Sequence, residues 1–159
     1  MVRPSGSVFG AIPLASFGAA AIGTTLTLIY MLLDDIRRSI ERGIFWEVAP
    51  DILNQNFASA IFGLPLGTFV GTFLVAGYLL LFGLPIALLF HSRLRGLAGL
   101  TLSIGTALLA SLVAFAAFFG SVGRLTDISW HAPALVLAFA LPAALLYRHS
   151  VILLLDEPI

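Results

Sequence analysis

Four stretches of this chain run without a charged residue: Val8 to Leu33 over 26 residues, Phe57 to Phe90 over 34, Leu97 to Gly123 over 27 and Ala132 to Tyr147 over 16. No other feature restricts the fold so strongly. About 20 apolar residues cross the hydrocarbon of a bilayer as a helix, where every backbone donor and acceptor must be satisfied from within. Ile128 to Trp130 lengthen the last stretch enough to span. The expected fold is an all-α integral membrane protein: a compact bundle of four transmembrane helices, with an interfacial amphipathic segment between the first two.

Composition agrees with the runs. Only 10% of the 159 residues are charged and 60% are hydrophobic, whereas a soluble domain carries about 25% charged residues. The net charge is zero, which offers nothing to nucleic acid or to a strongly charged partner. The absence of cysteine removes disulfides, thiolate zinc ligands and thiol nucleophiles together. Every basic residue is arginine, a bias of GC-rich bacterial genomes, and places the chain in expectation in a bacterial inner membrane. The first apolar run is far longer than the h-region of a signal peptide and is read as a retained span.

The whole chain, 1–159, is read as one transmembrane domain with helices near 11–33, 66–90, 97–119 and 130–147 and the interfacial segment at 34–49. Pro13 falls in the first turn of the first helix, where its missing amide hydrogen costs little. Ala15, Ala19, Gly23 and Thr27 then recur at intervals of four and lay a smooth stripe along one side. Thr24 and Thr25 are expected to return their hydroxyls to carbonyls one turn earlier.

In the segment DDIRRSIERGIFWEVAP, Asp34 with Arg38 and Arg37 with Glu41 form helix-supporting pairs. Gly43 weakens this helix, Phe45 and Trp46 suit the headgroup layer, and Pro50 is expected to stop it; the segment is read as lying in the interface or as continuing the first helix out of the bilayer. Arg37, Arg38, Glu41, Arg42 and Trp46 are the candidate contacts to a partner protein or a lipid headgroup.

The second helix carries GLPLGTFVG, with Gly63, Gly67 and Gly71 one turn apart. In water each glycine would cost about 1 kcal/mol relative to alanine. In lipid the missing side chains let another backbone approach for dispersion contacts, so the three mark a helix contact, within the chain or between copies. Pro65 is expected in the first turn of that helix, and Pro85 with Gly83 to bend its far end. The third helix repeats the pattern with Gly99, Ser103, Ala107 and Ser111. Candidate helix-packing residues are therefore Gly63, Gly67, Gly71, Ala19, Gly23, Ser103 and Ala107.

Catalytic chemistry has little to stand on. His91, His131 and His149 lie in separate connections or ends with no metal-binding spacing, and neither a serine elbow nor a phosphate loop is present. No metal, cofactor or catalytic residue is expected; Val151 to Leu155 are read as touching the interface or a partner, and Asp156 and Glu157 as facing water. The helix interiors lack ionisable groups, although proton- and ion-coupled carriers keep such groups at depth. Two functional classes follow: an accessory or structural subunit of a larger membrane assembly, or a small permease or channel made by oligomerisation. The partners implied are lipids with another membrane protein or further copies of this chain. Arg93 and Arg95 in the short link HSRLRG place that link and both termini in the cytoplasm by the positive-inside rule. Arginines are otherwise divided equally, with Arg3, Arg93, Arg95 and Arg148 on one side and Arg37, Arg38, Arg42 and Arg124 on the other.

Overall fold

Charge does not end the first helix. In the computed structural model, which describes residues 4–90, 94, 96–119 and 131–156, α1 runs unbroken over Pro4–Glu41. It carries the apolar run straight into the charged segment, so residues 34–41 continue the first helix. The exposed pairs Arg37–Glu41 (2.7 Å) and Arg38–Asp34 form along it. Pro13 lies inside α1, not in its first turn.

Gly43 terminates α1. Its φ of 71° is left-handed, the Gly43 amide donates to the Ile40 carbonyl at 2.9 Å, and the Ile44 amide donates to the Ser39 carbonyl at 3.1 Å. These two bonds make a Schellman cap, which needs a residue without a Cβ penalty at the left-handed position. The glycine read as a weak point within a helix is thus its stop. The stop expected at Pro50 is absent, because α2 already runs over Phe45–Tyr78 with Pro50 and Pro65 inside it. Residues 45–49 belong to α2 and not to a separate interfacial helix, and Pro65 sits mid-helix.

The irregularity expected near Pro85 takes the form of a π-helical turn over Leu79–Gly83, followed by α3 over Leu84–Phe90. The Leu84 amide donates five residues back to the Leu79 carbonyl, and the next residue, Pro85, has no amide hydrogen to give. Extra residues of this kind are accommodated by a locally wider helix. α4 covers Leu97–Phe119 and α5 covers His131–Asp156. α5 continues nine residues past the expected end at Tyr147, and Val151, expected at an interface, is fully buried in the core. Arg93 and Arg95 of the short link, Arg124 and the extension Ile128 to Trp130 lie outside the described residues.

The fold is an all-α bundle in which α1 packs against both α2 and α5, and α5 packs in turn against α4. Three of its helical stretches, Phe9–Glu41, Phe45–Phe90 and Ala134–Leu153, are long and apolar enough to cross a membrane, with a shorter apolar helix at Leu97–Val113. Large apolar side chains such as Phe62 (76% exposed), Phe73 (65%) and Leu112 (65%) point outward, while the core is built mainly from alanine. That inversion of the water-soluble pattern fits a hydrocarbon surround. The chain is a small multi-pass membrane protein.

The cap makes a direct prediction. A Cβ on Gly43 would meet no atom within 4 Å, so Gly43→Ala probes backbone strain alone. It should destabilise the α1–α2 turn by about 1 kcal/mol, with Gly43→Asn milder, as read from unfolding in sodium dodecyl sulfate. Equal stability of the alanine variant and the wild type would contradict the cap.

Candidate functional site

Two adjacent stripes on α1 organise the bundle. One faces α2, where a Cβ placed on Gly67 would lie 2.6 Å from Thr24 Cγ2, one on Gly71 would lie 3.2 Å from Ala20 Cβ, and one on Gly63 would lie 3.6 Å from Leu28 Cδ2. Each step of four residues along α1 is matched by four residues back along α2, a single antiparallel register. The same register brings Asn56 to Asp35, where the Asn56 amide donates to the carboxylate at 3.3 Å. Gly63 and Gly67 of α2 therefore face the chain's own first helix, and Gly71 faces it together with Phe139.

The second stripe faces α5. Ala15 and Ala19 are buried with Ala143, Tyr147 and Val151, and a Cβ on Gly23 would lie 2.5 Å from the Phe139 ring. Phe139 also comes within 3.1 Å of the Cβ position on Gly71, so one ring enters a notch cut by glycines on two helices. Nothing in the local sequence LVLAFALP distinguishes Phe139 from its apolar neighbours. The small line of α4 is likewise occupied: Ser103 and Ser111 are buried, and Ala107 packs with Ala140 and Ala144 of α5.

Hydroxyls along these seams are mostly satisfied within their own helices. Thr25 donates to Ala21 O and Thr27 to Gly23 O, each at 2.8 Å. Ser103 donates to Gly99 O at 2.8 Å. Thr24 departs from expectation. Among the described residues its buried hydroxyl has no hydrogen-bond partner, nor has that of Ser16, and the Thr24 side chain is pressed onto Gly67. Filling the glycine notch takes precedence there over the bond to its own helix.

A small pocket of about 20 Å³ lies beside the π turn, where Tyr78, Ser103, Thr106, Tyr147 and Arg148 join a mainly apolar lining that includes Leu79, Leu94 and Val151. The Thr106 hydroxyl donates within its own helix to the Leu102 carbonyl at 2.8 Å. Arg148 donates from Nε to the Leu94 carbonyl at 2.8 Å and so ties α5 to the link before α4. Gly83 admits the Tyr147 ring, which lies 3.1 Å from the Cβ position. The space suits about one water molecule, too little for an organic substrate.

The charged end of the α1–α2 hairpin holds the other candidate residues. From Asp34 to Asp51 it carries five acids and three arginines, a net charge of −2. Arg37 and Arg38 are already engaged with Glu41 and Asp34. Arg42 is exposed and, among the described residues, forms no ion pair. Trp46 is 88% exposed and stacks edge-on to Phe45 at 5.2 Å between centroids. Among the described residues no cluster of potential metal ligands is gathered. Comparison with protein-family models, curated proteins and solved structures finds no match.

The glycine distances order the effects of alanine. Gly67→Ala and Gly23→Ala meet atoms closer than any real Cβ tolerates and should each cost about 1–3 kcal/mol by overpacking. Gly63→Ala, at ordinary contact distance, and Gly77→Ala, in open space, should be neutral or stabilising by up to about 1 kcal/mol. Thr24→Ser, which removes the opposing methyl, should restore much of the Gly67→Ala loss. Unfolding in mixed micelles provides the measurement, and equal effects at Gly67 and Gly77 would refute the seam.

Proposed function

We propose that this protein is an accessory or structural subunit of a larger membrane assembly, held in the inner membrane of a bacterium by four transmembrane helices with both termini cytoplasmic. The observation that carries this reading is a mismatch of length. α1 has 38 residues and the α2 to α3 stretch 46, about 57 and 69 Å of helix, against a hydrocarbon core of about 30 Å. α4 and α5, with 23 and 26 residues, reach only about 35 and 39 Å. The surplus at the hairpin end forms an arm over 34–56, its two strands of helix joined by the Asp35–Asn56 contact. An arm that leaves the bilayer without any gathering of reactive groups is suited to holding a neighbour. Lipids contact the outward apolar faces of the bundle, and no catalytic role is assigned.

A second reading, a small oligomeric permease or channel, draws on the pocket at the π turn, since such turns recur at functional sites. It would need several copies, because one cavity of about 20 Å³ makes no path across the bundle.

Native mass measurement of the untagged protein, purified in mild detergent, separates the two readings. The accessory role predicts a fixed complex with a different, larger membrane protein. A homo-oligomer in which a cysteine at Ser103 or Thr106 reacts with water-soluble maleimide would replace it with the channel reading. For topology, cysteines introduced at the exposed positions Asn54 and His149 should react from outside intact cells only at Asn54. Reaction only at His149 would invert the orientation.

A further inference from the structure

We infer that the outer face of the arm, formed by Trp46, Pro50, Leu53 and Phe57 with Glu47 and Asp51 along one edge, docks an amphipathic helix of another subunit whose apolar seam is flanked by lysine or arginine. This rests on the accessory-subunit reading and names the chemistry of the partner.

The four residues recur at helical spacing and fall on one stripe of α2. Trp46 is 88% exposed, Leu53 62% and Phe57 69%. The stripe cannot turn inward. Val48, Ala49, Ile52 and Asn56 form the partly covered side of the same stretch, and the Asp35–Asn56 bond sets the rotation of α2 on α1. The stripe also runs on without a break into Ile61 and Leu64, exposed within the charge-free run. A partner lying on the membrane-embedded face of α2 therefore meets the same surface as it follows the arm outward. With the arm placed outside the bilayer as proposed above, residues 46–56 have no lipid to cover them, and a contiguous apolar stripe rimmed by polar residues marks a contact surface.

Charge selects the occupant. Glu47 and Asp51 lie one turn apart on the same edge, both exposed, and among the described residues neither forms an ion pair. Anionic headgroups would be repelled by them, which disfavours laying this face on a bacterial membrane. A second copy related by a two-fold along the membrane normal would set this acidic edge against the opposite edge of the stripe, where Ala49 and Asn56 offer no cation. A helix flanked by basic residues satisfies both the apolar stripe and the acids, and electrostatic complementarity of this kind fixes register and excludes wrong partners.

The test uses the full chain in nanodiscs of mixed zwitterionic and anionic lipid. The protein has no cysteine of its own, so Leu53→Cys carries one environment-sensitive fluorophore. The probe is a synthetic amphipathic helix with a leucine seam flanked by lysines; its control has glutamates in their place. The lysine peptide should shift the fluorophore to the blue and bind about ten-fold more tightly than the control, from two weak ion pairs gained rather than opposed. Glu47→Lys with Asp51→Lys should invert that preference. Equal binding of the two peptides, or no inversion, would overturn the proposal. So would a fluorophore already quenched by lipid-borne quenchers before peptide is added, which would place the face on the membrane, or a peptide-free dimer lost on Glu47→Lys. Recovery of the same larger native complex with the double lysine variant as with wild type would overturn this docking face alone and leave the subunit reading standing.

Discussion

Close approach of backbones on both sides of α1 is the interaction on which the structure depends. Within lipid, leucine gains nothing by leaving hydrocarbon for a protein interior, so helices are held by dispersion at short range and by the few polar contacts they share. Such contacts require surfaces without bulk. α1 supplies two: Ser16, Ala20, Thr24 and Leu28 follow one line toward α2, while Ala15, Ala19 and Gly23 follow the adjacent line toward α5. Phe139 is the exception that fits the rule, because its ring enters where both Gly23 and Gly71 have removed a Cβ. Most other large side chains are turned outward, where their size does not separate helices, with Leu79 and Tyr147 among the few that are buried.

This packing explains why one helix must be central. α4 is joined to the bundle through α5 and the region of the π turn, by way of Ala107, Ala140 and Ala144, against which Tyr78 packs. The π turn is part of that arrangement. It holds Leu79 fully buried and brings Gly83 under the Tyr147 ring, so α2 reaches both α5 and α4 at the end where Arg148 holds the connecting link. A straight α-helical continuation would rotate every residue after Leu79 by about 100° for each residue removed, and Gly83 would no longer face Tyr147.

Several features were legible in the sequence because their physics is local or compositional. Charge-free length identified helices suited to a bilayer, and the bounds of α4, Leu97–Phe119, coincide with the expected ones. The ion pairs at Asp34–Arg38 and Arg37–Glu41 followed from spacing alone. Proline and glycine were harder. Pro13 and Pro65 read as boundaries in water but lie within helices here, since a bilayer leaves a broken backbone bond no better alternative than a continued helix; Pro50, on the arm, also lies within α2. Gly43 was read by propensity as a weak point, whereas its left-handed conformation, invisible to propensity, makes it the cap. The end of α5 was misplaced because Arg148 looked like an exit from the membrane, and its guanidinium instead turns back to the Leu94 carbonyl.

What could not be read was which stripe meets which helix. Intervals of four recur on α1, α2 and α4, and any two smooth faces are sterically compatible, so sequence periodicity offers several equivalent pairings. The choice is made by features that small-residue patterns omit. Phe139 can be buried only where two glycines coincide, and Asp35 can reach Asn56 only in the register that also places Thr24 against Gly67. One bulky ring and one polar pair therefore break a degeneracy that the glycines alone leave open. The cost appears at Thr24 and Ser16, whose buried hydroxyls lack partners among the described residues. In hydrocarbon such a loss is tolerable only where the closeness of the surrounding backbones returns more in dispersion than the hydroxyl forfeits, and that condition ties the tightest part of the α1–α2 seam to Gly67.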